Sequence, residues 1–227
     1  MKGVKYVLSV FSLLLFTFCS IGKNIVDKPI VFNEERKLLS LQYMADRYGL
    51  EQQTPTIVPK MIVLHWTVIP TFEESFAFFK NPTLAEIRGD ISGAGALNVS
   101  SQYMIDRDGK IYQLMPDTLM ARHAIGLNHC AIGVENVGGT EDLPLTPAQL
   151  KSNIWLVRYL AEKYDIEYVI GHHEYTLFEG HPLWLEKDEG YRTVKTDPGP
   201  EFMQKVREAT QDLNFKPLPI KPSFNDQ

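Results

Sequence analysis

The segment MIVLHWT, residues 61–67, sets the architecture of this chain. Its first four residues are apolar without interruption, which is typical of a short strand buried on both faces of a sheet. The run then changes abruptly to His65, Trp66 and Thr67. Strand ends in α/β sheets collect binding groups on a rigid support, so this junction predicts a central strand that ends at a functional site.

Two later segments resemble this first strand. Residues 132–137 (IGVENV) are predicted as another strand, and residues 168–170 (YVI) as a further short strand that precedes His172 and His173. Consecutive residues of an extended segment point to opposite faces, so we expect at most one of these two histidines to face the site.

The rest of the chain supplies a hairpin and several helices. Residues 102–115 contain two β-prone runs around an Asp108-Gly109 turn, which predicts a β-hairpin. Strands interleaved with helices predict a single α/β domain with a central mixed β-sheet flanked by helices. Apolar periodicity and cap residues predict helices over residues 33–48, 71–79, 83–89, 146–164 and 198–213.

The N-terminus predicts export. Two lysines precede a largely apolar stretch over residues 6–18, which is shorter than the roughly 20 residues of a membrane span and is typical of a signal peptide over residues 1–19. Cys19 follows this stretch directly and would carry the lipid of a lipoprotein, whereas ordinary cleavage near Ser20-x-Gly22 is the alternative. We therefore expect a periplasmic or outer-membrane lipoprotein, or a secreted protein.

The remaining residues divide into three parts. Residues 20–59 are predicted as an N-terminal helix and linker, residues 60–213 as the principal domain, and residues 214–227 as a Pro-rich C-terminal tail. A chain of 227 residues with 44% hydrophobic residues is long enough for one well-buried core. We expect a monomer.

Charge and cysteine content exclude several classes of protein. The net charge is -5, from 23 basic and 28 acidic residues, so no nucleic-acid partner is expected. Two cysteines are too few for a disulfide framework or an all-thiolate metal site. Any metal must therefore be bound through His, Asp or Glu. Two imidazoles after strands, His65 and His172, together with one carboxylate would form the three-ligand open site of catalytic zinc.

Four motifs occur in a familiar order: LHWT at 64–67, IGVE at 132–135, GHH at 171–173 and KTDPGP at 195–200. Together they resemble the zinc-dependent N-acetylmuramoyl-L-alanine amidases of the amidase-2 type, which are related to phage lysozyme-like amidases and peptidoglycan recognition proteins. The resemblance covers residues 60–203. It implies the mixed-sheet fold of that family, a Zn²⁺ cofactor, and hydrolysis of the amide between N-acetylmuramic acid and L-alanine in peptidoglycan or muropeptides.

The resemblance also implies roles for individual residues. His65, His172 and Asp197 would bind zinc, Glu135 would be the acid/base residue, and Lys195 would stabilise the oxyanion. From the residues themselves, Asp197 is also suited to cap the helix that follows it, and Glu135 and Lys195 also fit as ordinary solvated residues.

Three residues are expected to line the substrate groove: Trp66, Tyr103 and His123. The segment Arg122-His123-Ala124 resembles the family's substrate-lining Trp-His-Ala segment, although a structural hydrogen bond is a rival role for His123. Burial in the core or in the groove wall is the rival for the aromatic residues. The chain departs from the family at Gln102, where many members have His, and at Arg122, where many have Trp.

Residues 174–193 lengthen the interval between His172 and Asp197 and are rich in aromatic and charged residues. We expect them to form a flap over the substrate groove. Two other functions are consistent with the sequence: a non-catalytic peptidoglycan-binding protein and a zinc cell-wall peptidase.

Overall fold

A mixed sheet of six strands forms the centre of the computed structural model, which describes residues 25–85 and 89–220. The strands lie in the order β1-β4-β3-β5-β2-β6. This arrangement confirms the predicted α/β fold with a central mixed sheet. The strands are β1 (Ile25–Asp27), β2 (Met61–Leu64), β3 (Tyr103–Ile105), β4 (Ile111–Gln113), β5 (Ala131–Asn136) and β6 (Tyr168–Gly171).

Four neighbouring strands, β3, β5, β2 and β6, run parallel. The hairpin partner β4 runs antiparallel to β3, and β1 pairs in parallel with β4 at the edge. In this register Leu64 of β2 lies opposite both Val134 of β5 and Gly171 of β6. The residues that follow these positions therefore meet at one edge of the sheet.

The helices begin at the expected cap residues. Asn33 accepts a hydrogen bond from the backbone N of Arg36, and Thr71 accepts one from that of Glu74. Thr146 opens the longest helix with a complete capping box. The helices are α1 (Glu34–Tyr43) with a π-helical continuation (Met44–Tyr48), α2 (Phe72–Lys80), α3 (Gly89–Ser92), α4 (Pro147–Lys163) and α5 (Pro200–Ala209), and 3₁₀ turns cover His172–Phe178 and Gln211–Leu213.

Two of the predicted helices, at 198–213 and 83–89, differ in extent from the observed elements. The helix predicted over 198–213 begins at Pro200, after the N-cap Gly199, and it is interrupted at Thr210, which ends α5 before the 3₁₀ turn. The capping-box residue Glu86 of the predicted helix at 83–89 lies outside the described residues, and the short α3 follows it. Within the part of the chain that the structure describes, no helix combines the length and apolar character needed to cross a bilayer.

Strand alternation divides the core between the two faces of the sheet. Ile62 and Leu64 of β2 pack with the buried residues of α4 and α5 on one face. Met61 and Val63 point to the other face, where the loop around Ala124 and the segment after β6 cover them. The α2 helix covers the remainder of this second face, towards β3 and β4.

The N-terminal segment is part of the folded domain. The sequence predicted a helix and linker over 20–59, yet residues 25–27 form the edge strand β1, and the side chain of Arg36 is 1% exposed. Its guanidinium donates to the carbonyl oxygens of Val31 and, at the end of α2, Phe79 and Lys80. Burial lowers the pKa of Arg36 to about 10, so it stays charged at neutral pH and satisfies carbonyls that α2 leaves free. The predicted signal peptide and Cys19 lie outside the described residues.

Replacing Arg36 with Met should lower the free energy of unfolding by roughly 2–4 kcal/mol, because several buried carbonyl acceptors lose their donor. Urea denaturation followed by circular dichroism measures this change. Lys37→Met is the matched control, since Lys37 makes only an exposed ion pair with Glu34 at 3.3 Å and should change stability by less than about 0.5 kcal/mol. Equal effects of the two substitutions would contradict a structural role for Arg36.

Candidate metal centre and active-site groove

Three buried side chains meet at the edge of the sheet where the parallel strands end. His65 follows β2, His172 follows β6, and Asp197 lies in the loop before α5. His65 Nδ1 lies 3.0 Å from His172 Nδ1 and 3.2 Å from Asp197 Oδ2, and His172 Nδ1 lies 3.1 Å from the same oxygen. Three potential ligand atoms thus form a nearly equilateral triangle.

This triangle has the dimensions and chemistry of a metal site. In a tetrahedral centre with ligand distances of about 2.0–2.2 Å, neighbouring ligand atoms lie about 3.3–3.6 Å apart, close to the separations seen here. Two imidazole nitrogens and one carboxylate oxygen are also a donor set suited to a borderline divalent cation. His65, His172 and Asp197 can therefore hold a metal ion.

The ionisation of these groups favours cation binding. Burial, and then the neighbouring His65, lower the pKa of His172 to about 4, so its imidazole is neutral at pH 7. Burial raises the pKa of the Asp197 carboxyl, but the two adjacent imidazoles more than offset this effect and leave the pKa well below its usual value. A neutral imidazole beside an ionised carboxylate is the state that a metal requires of its ligands.

The loop that carries Asp197 is fixed by the other histidine of the pair. His173 contacts the Asp197 carbonyl oxygen twice, through its backbone N at 3.0 Å and its ring Nδ1 at 2.9 Å. Only His172 of the two adjacent histidines faces the triangle, as expected, although the pair begins a 3₁₀ turn and is not extended. The helix cap proposed as the rival role for Asp197 is not seen, because Gly199 is the N-cap of α5.

The triangle lies at the bottom of a groove of about 480 Å³. Besides the three candidate ligands, Glu135 and Lys195 line it. Glu135 is 8% exposed. It lies on β5, and its side chain points to the same face of the sheet as that of Ala131, the face opposite α4. Lys195 is half-buried, two residues before Asp197. His123 and Trp66 also line the groove, so seven of the eight residues predicted for the site lie around it.

Tyr103 is the exception. It is 1% exposed, packs with Ile105 in the core beneath α4, and its hydroxyl donates to Asp117 Oδ1 at 2.5 Å. The prediction that it lines the groove is not supported, because alternation along β3 turns its side chain to the other face of the sheet. Tyr103 and Ile105 are two residues apart on one strand, so the sequence already indicated that their side chains point to the same face.

An apolar wall of the groove was not predicted. Phe78 and Phe79 from α2, Val99, and the segment after Trp66 contribute to it. Val68 in this segment is 58% exposed and has φ 51, a conformation that a β-branched residue rarely adopts. Its backbone N donates to Gly138 at 2.9 Å, which helps to hold the strained loop. No local sequence pattern marks such a residue.

The two departures from the family pattern have structural roles. Gln102 is fully buried, donates to the Leu119 carbonyl at 2.8 Å and accepts from the Gly133 backbone N at 2.7 Å. Arg122 donates to carbonyl oxygens of the loop around α3, including that of Ile91 at 2.7 Å, and to the Tyr191 hydroxyl at 3.1 Å. Both side chains thus fix the loops around the groove.

Residues 174–193 form a wall beside the groove and not a flap over it. Tyr175 and Phe178 are buried in the core, and the buried Glu186 pairs with Arg47 at 2.6 Å. Tyr191 and Thr193 line a narrow extension of the groove. The inserted segment is therefore anchored against the π-helical continuation of α1, through Arg47.

Comparison with known proteins agrees with this geometry. Residues 52–200 match the family model Amidase_2, described as N-acetylmuramoyl-L-alanine amidase. The chain belongs to the Amidase_2 family. The endolysin of Escherichia phage T7 is 35% identical to this Amidase_2 chain over 100 residues. The aligned residues cover 42% of this chain and 66% of the endolysin, which is just under two thirds of its length.

Solved structures with a similar fold include two amidases. The N-acetylmuramoyl-L-alanine amidase LysC from Clostridium intestinale URNW is 23% identical, with a TM-score of 0.49, over 85% of this Amidase_2 chain and 99% of that chain. The N-acetylmuramyl-L-alanine amidase AmiD from E. coli is also 23% identical, with a TM-score of 0.48, over 70% of this chain and 60% of that chain.

Trp66, on the rim of the groove, depends on a close approach to Gly139. Gly139 has φ 105, and a Cβ added there would overlap the Trp66 side chain. Gly139→Ala should therefore destabilise the fold by the cost of positive φ, about 1–3 kcal/mol, and by a further 1–3 kcal/mol of overpacking. Urea denaturation measures the total.

Gly95→Ala is the matched control, because Gly95 has φ 102 but nothing within 4 Å of an added Cβ. It should show the cost of positive φ alone. In a Trp66→Gly background, which removes the ring and also the Trp66 Cβ that would lie 2.5 Å from the added atom, the two alanine substitutions should then cost the same. A persistent difference in that background would mean that Trp66 is not what Gly139 accommodates.

Proposed function

We propose that this Amidase_2 protein hydrolyses the amide that joins the lactyl group of N-acetylmuramic acid to L-alanine, in peptidoglycan or in muropeptides. The observation that carries the proposal is the convergence of His65, His172 and Asp197 within 3.2 Å of one another, in a groove that also holds Glu135 and Lys195. Family membership gives the class of bond, and the groove supplies the residues that this chemistry needs.

Zn²⁺ is the cofactor that we propose for the three ligands. Their two nitrogens and one carboxylate oxygen match the three-ligand sets of catalytic zinc, which keep a fourth position open. When bound there, zinc would lower the pKa of a coordinated water to about 7 and polarise the substrate carbonyl. The chain's own part is to hold the ligands in place and to provide the proton transfers.

Glu135 is the proposed general base and acid. It follows Val134, and the backbone N of His65 donates to the Val134 carbonyl oxygen at 2.8 Å, so Glu135 lies on the strand next to a ligand. Its carboxyl group is 8% exposed and borders the groove. From there it would accept a proton from the attacking water and return that proton to the leaving amine of L-alanine.

Lys195 is the proposed stabiliser of the tetrahedral oxyanion. It lines the groove two residues before Asp197, so the loop that positions one ligand also positions the ammonium group. A fixed positive charge at this point would offset the negative charge that develops on the carbonyl oxygen, and the loss of one such group typically costs about 10²–10³ in turnover.

We propose that the protein acts outside the cytoplasm, and the signal peptide predicted over residues 1–19 supports this proposal. We propose that the chain acts as a monomer, either released or held at a membrane by a lipid on Cys19.

Digestion of purified muropeptides, followed by mass spectrometry, tests the activity directly. The expected products are a stem peptide with a free N-terminal L-alanine and an intact N-acetylmuramic acid. Cleavage within the stem peptide would indicate a zinc peptidase instead. Binding to peptidoglycan without any product would indicate a non-catalytic recognition protein, and either result would overturn the proposal.

Glu135→Gln should reduce turnover by about 10²–10⁴, since the amide cannot take up the proton of the attacking water. Zinc content, measured by atomic absorption, should stay at the wild-type level. Asp197→Ala is the matched control, because it removes a proposed ligand and should lower both zinc content and activity. Turnover of Glu135→Gln within tenfold of the wild type would assign the base to another residue.

A further inference from the structure

A chain of hydrogen bonds leads away from the candidate metal centre through His123. His65 Nε2 lies 3.1 Å from His123 Nδ1, and His123 Nε2 lies 3.3 Å from the carbonyl oxygen of Ala131. The two rings meet edge to face, with an interplanar angle of 87°. The sequence suggested that His123 contacts substrate, whereas its ring nitrogens face His65 and the backbone of β5.

This chain of contacts determines where the protons are. A carbonyl oxygen only accepts, so the ring nitrogen that faces Ala131 carries a proton. A histidine that binds a metal through Nδ1 carries its proton on Nε2, and in His65 that atom lies 3.1 Å from His123 Nδ1. With its own proton on the Nε2 that faces Ala131, His123 has Nδ1 free to accept, so His65 donates to it from Nε2. The lone pair of His65 is left on Nδ1, the atom that faces His172 and Asp197.

The sheet provides space for this arrangement at Gly133. A Cβ at this position would lie 2.9 Å from two atoms of the His123 ring. The backbone around the ring is also fixed, because Asn128 Oδ1 accepts from the backbone N of both His123 and Ala124, at 2.8 and 2.7 Å. Gly133 on β5 and Asn128 in the loop of His123 thus fix the position of the His123 ring.

The two candidate imidazole ligands differ in the hydrogen bonding of the ring nitrogen that faces away from the metal site. Among the residues that the structure describes, no hydrogen-bond partner faces the buried Nε2 of His172. The outer nitrogen of His65 has His123 as its partner. A ligand histidine usually donates its other N–H to an acceptor that fixes its tautomer and orientation.

We propose that His123 is a positioning residue, which holds the proton of His65 on Nε2 and directs Nδ1 at the metal. The inference rests on the proposed zinc site. His123 thereby has a role in metal affinity, exerted through His65, in addition to its place in the wall of the groove.

The decisive measurement is the zinc dissociation constant, obtained by competition with a chromophoric chelator. His123→Leu removes the acceptor and should weaken zinc binding about 10–100-fold. His123→Asn places an amide oxygen where Nδ1 lies and should restore affinity to within about tenfold of the wild type. Gly133→Ala leaves every hydrogen-bonding group in place but displaces the ring, and it should weaken binding in the wild type and not in His123→Leu.

His129→Leu is the matched control. His129 lies on the same loop, outside the groove, with its ring edge against Tyr48. Its replacement should leave zinc affinity unchanged. Nitrogen-15 NMR of the zinc-loaded wild type should show the His65 proton on Nε2 and zinc coordination through Nδ1.

Three results would overturn the proposal. Zinc affinity of His123→Leu within threefold of the wild type would remove His123 from the metal site while leaving the proposed zinc function intact. Coordination of zinc by Nε2 of His65 would do the same. A wild-type chain that binds no zinc would overturn both proposals together.

Discussion

The register of three parallel strands is the constraint on which the site depends. Leu64 lies opposite Val134 and Gly171, so β2, β5 and β6 reach the same edge of the sheet with their next residues side by side. Those next residues are His65, Glu135 and His172. A slip of one residue on any strand would turn its side chains to the opposite face, beneath α4 and α5. The buried apolar residues of both faces make such a slip costly, so core packing also fixes the positions of the ligands.

Much of this arrangement could be predicted from the sequence. The central strand β2 is an uninterrupted apolar run, and helices α1, α2 and α4 begin at strong cap residues, so local signals agreed with the fold. The four ordered motifs named six residues that the structure brings around one groove, and the Arg122-His123-Ala124 segment added His123. These predictions depended on signals contained within a few consecutive residues.

The predictions that failed depended on tertiary contacts. Strand β1 has only three residues, and its pairing with β4 is not encoded in any local periodicity. Tyr103 was expected to line the groove, although strand alternation turns its side chain into the core. The strained Val68 owes its conformation to contacts across the chain. Local pattern does not reveal which face a side chain occupies or which loop will be held under strain.

The three candidate ligands are also far apart along the chain. His65 and His172 are separated by 107 residues, and His172 and Asp197 by 25. In the described part of the chain the sole cysteine, Cys130, is free. A metal ion held by these side chains would act as a cross-link, closing two loops whose ends must otherwise be held together by packing alone. A metal that binds the native state and not the unfolded chain stabilises the fold by mass action, and it holds together chain segments that are distant in sequence. The metal centre would therefore cross-link distant segments of this chain, as a disulfide does in other proteins.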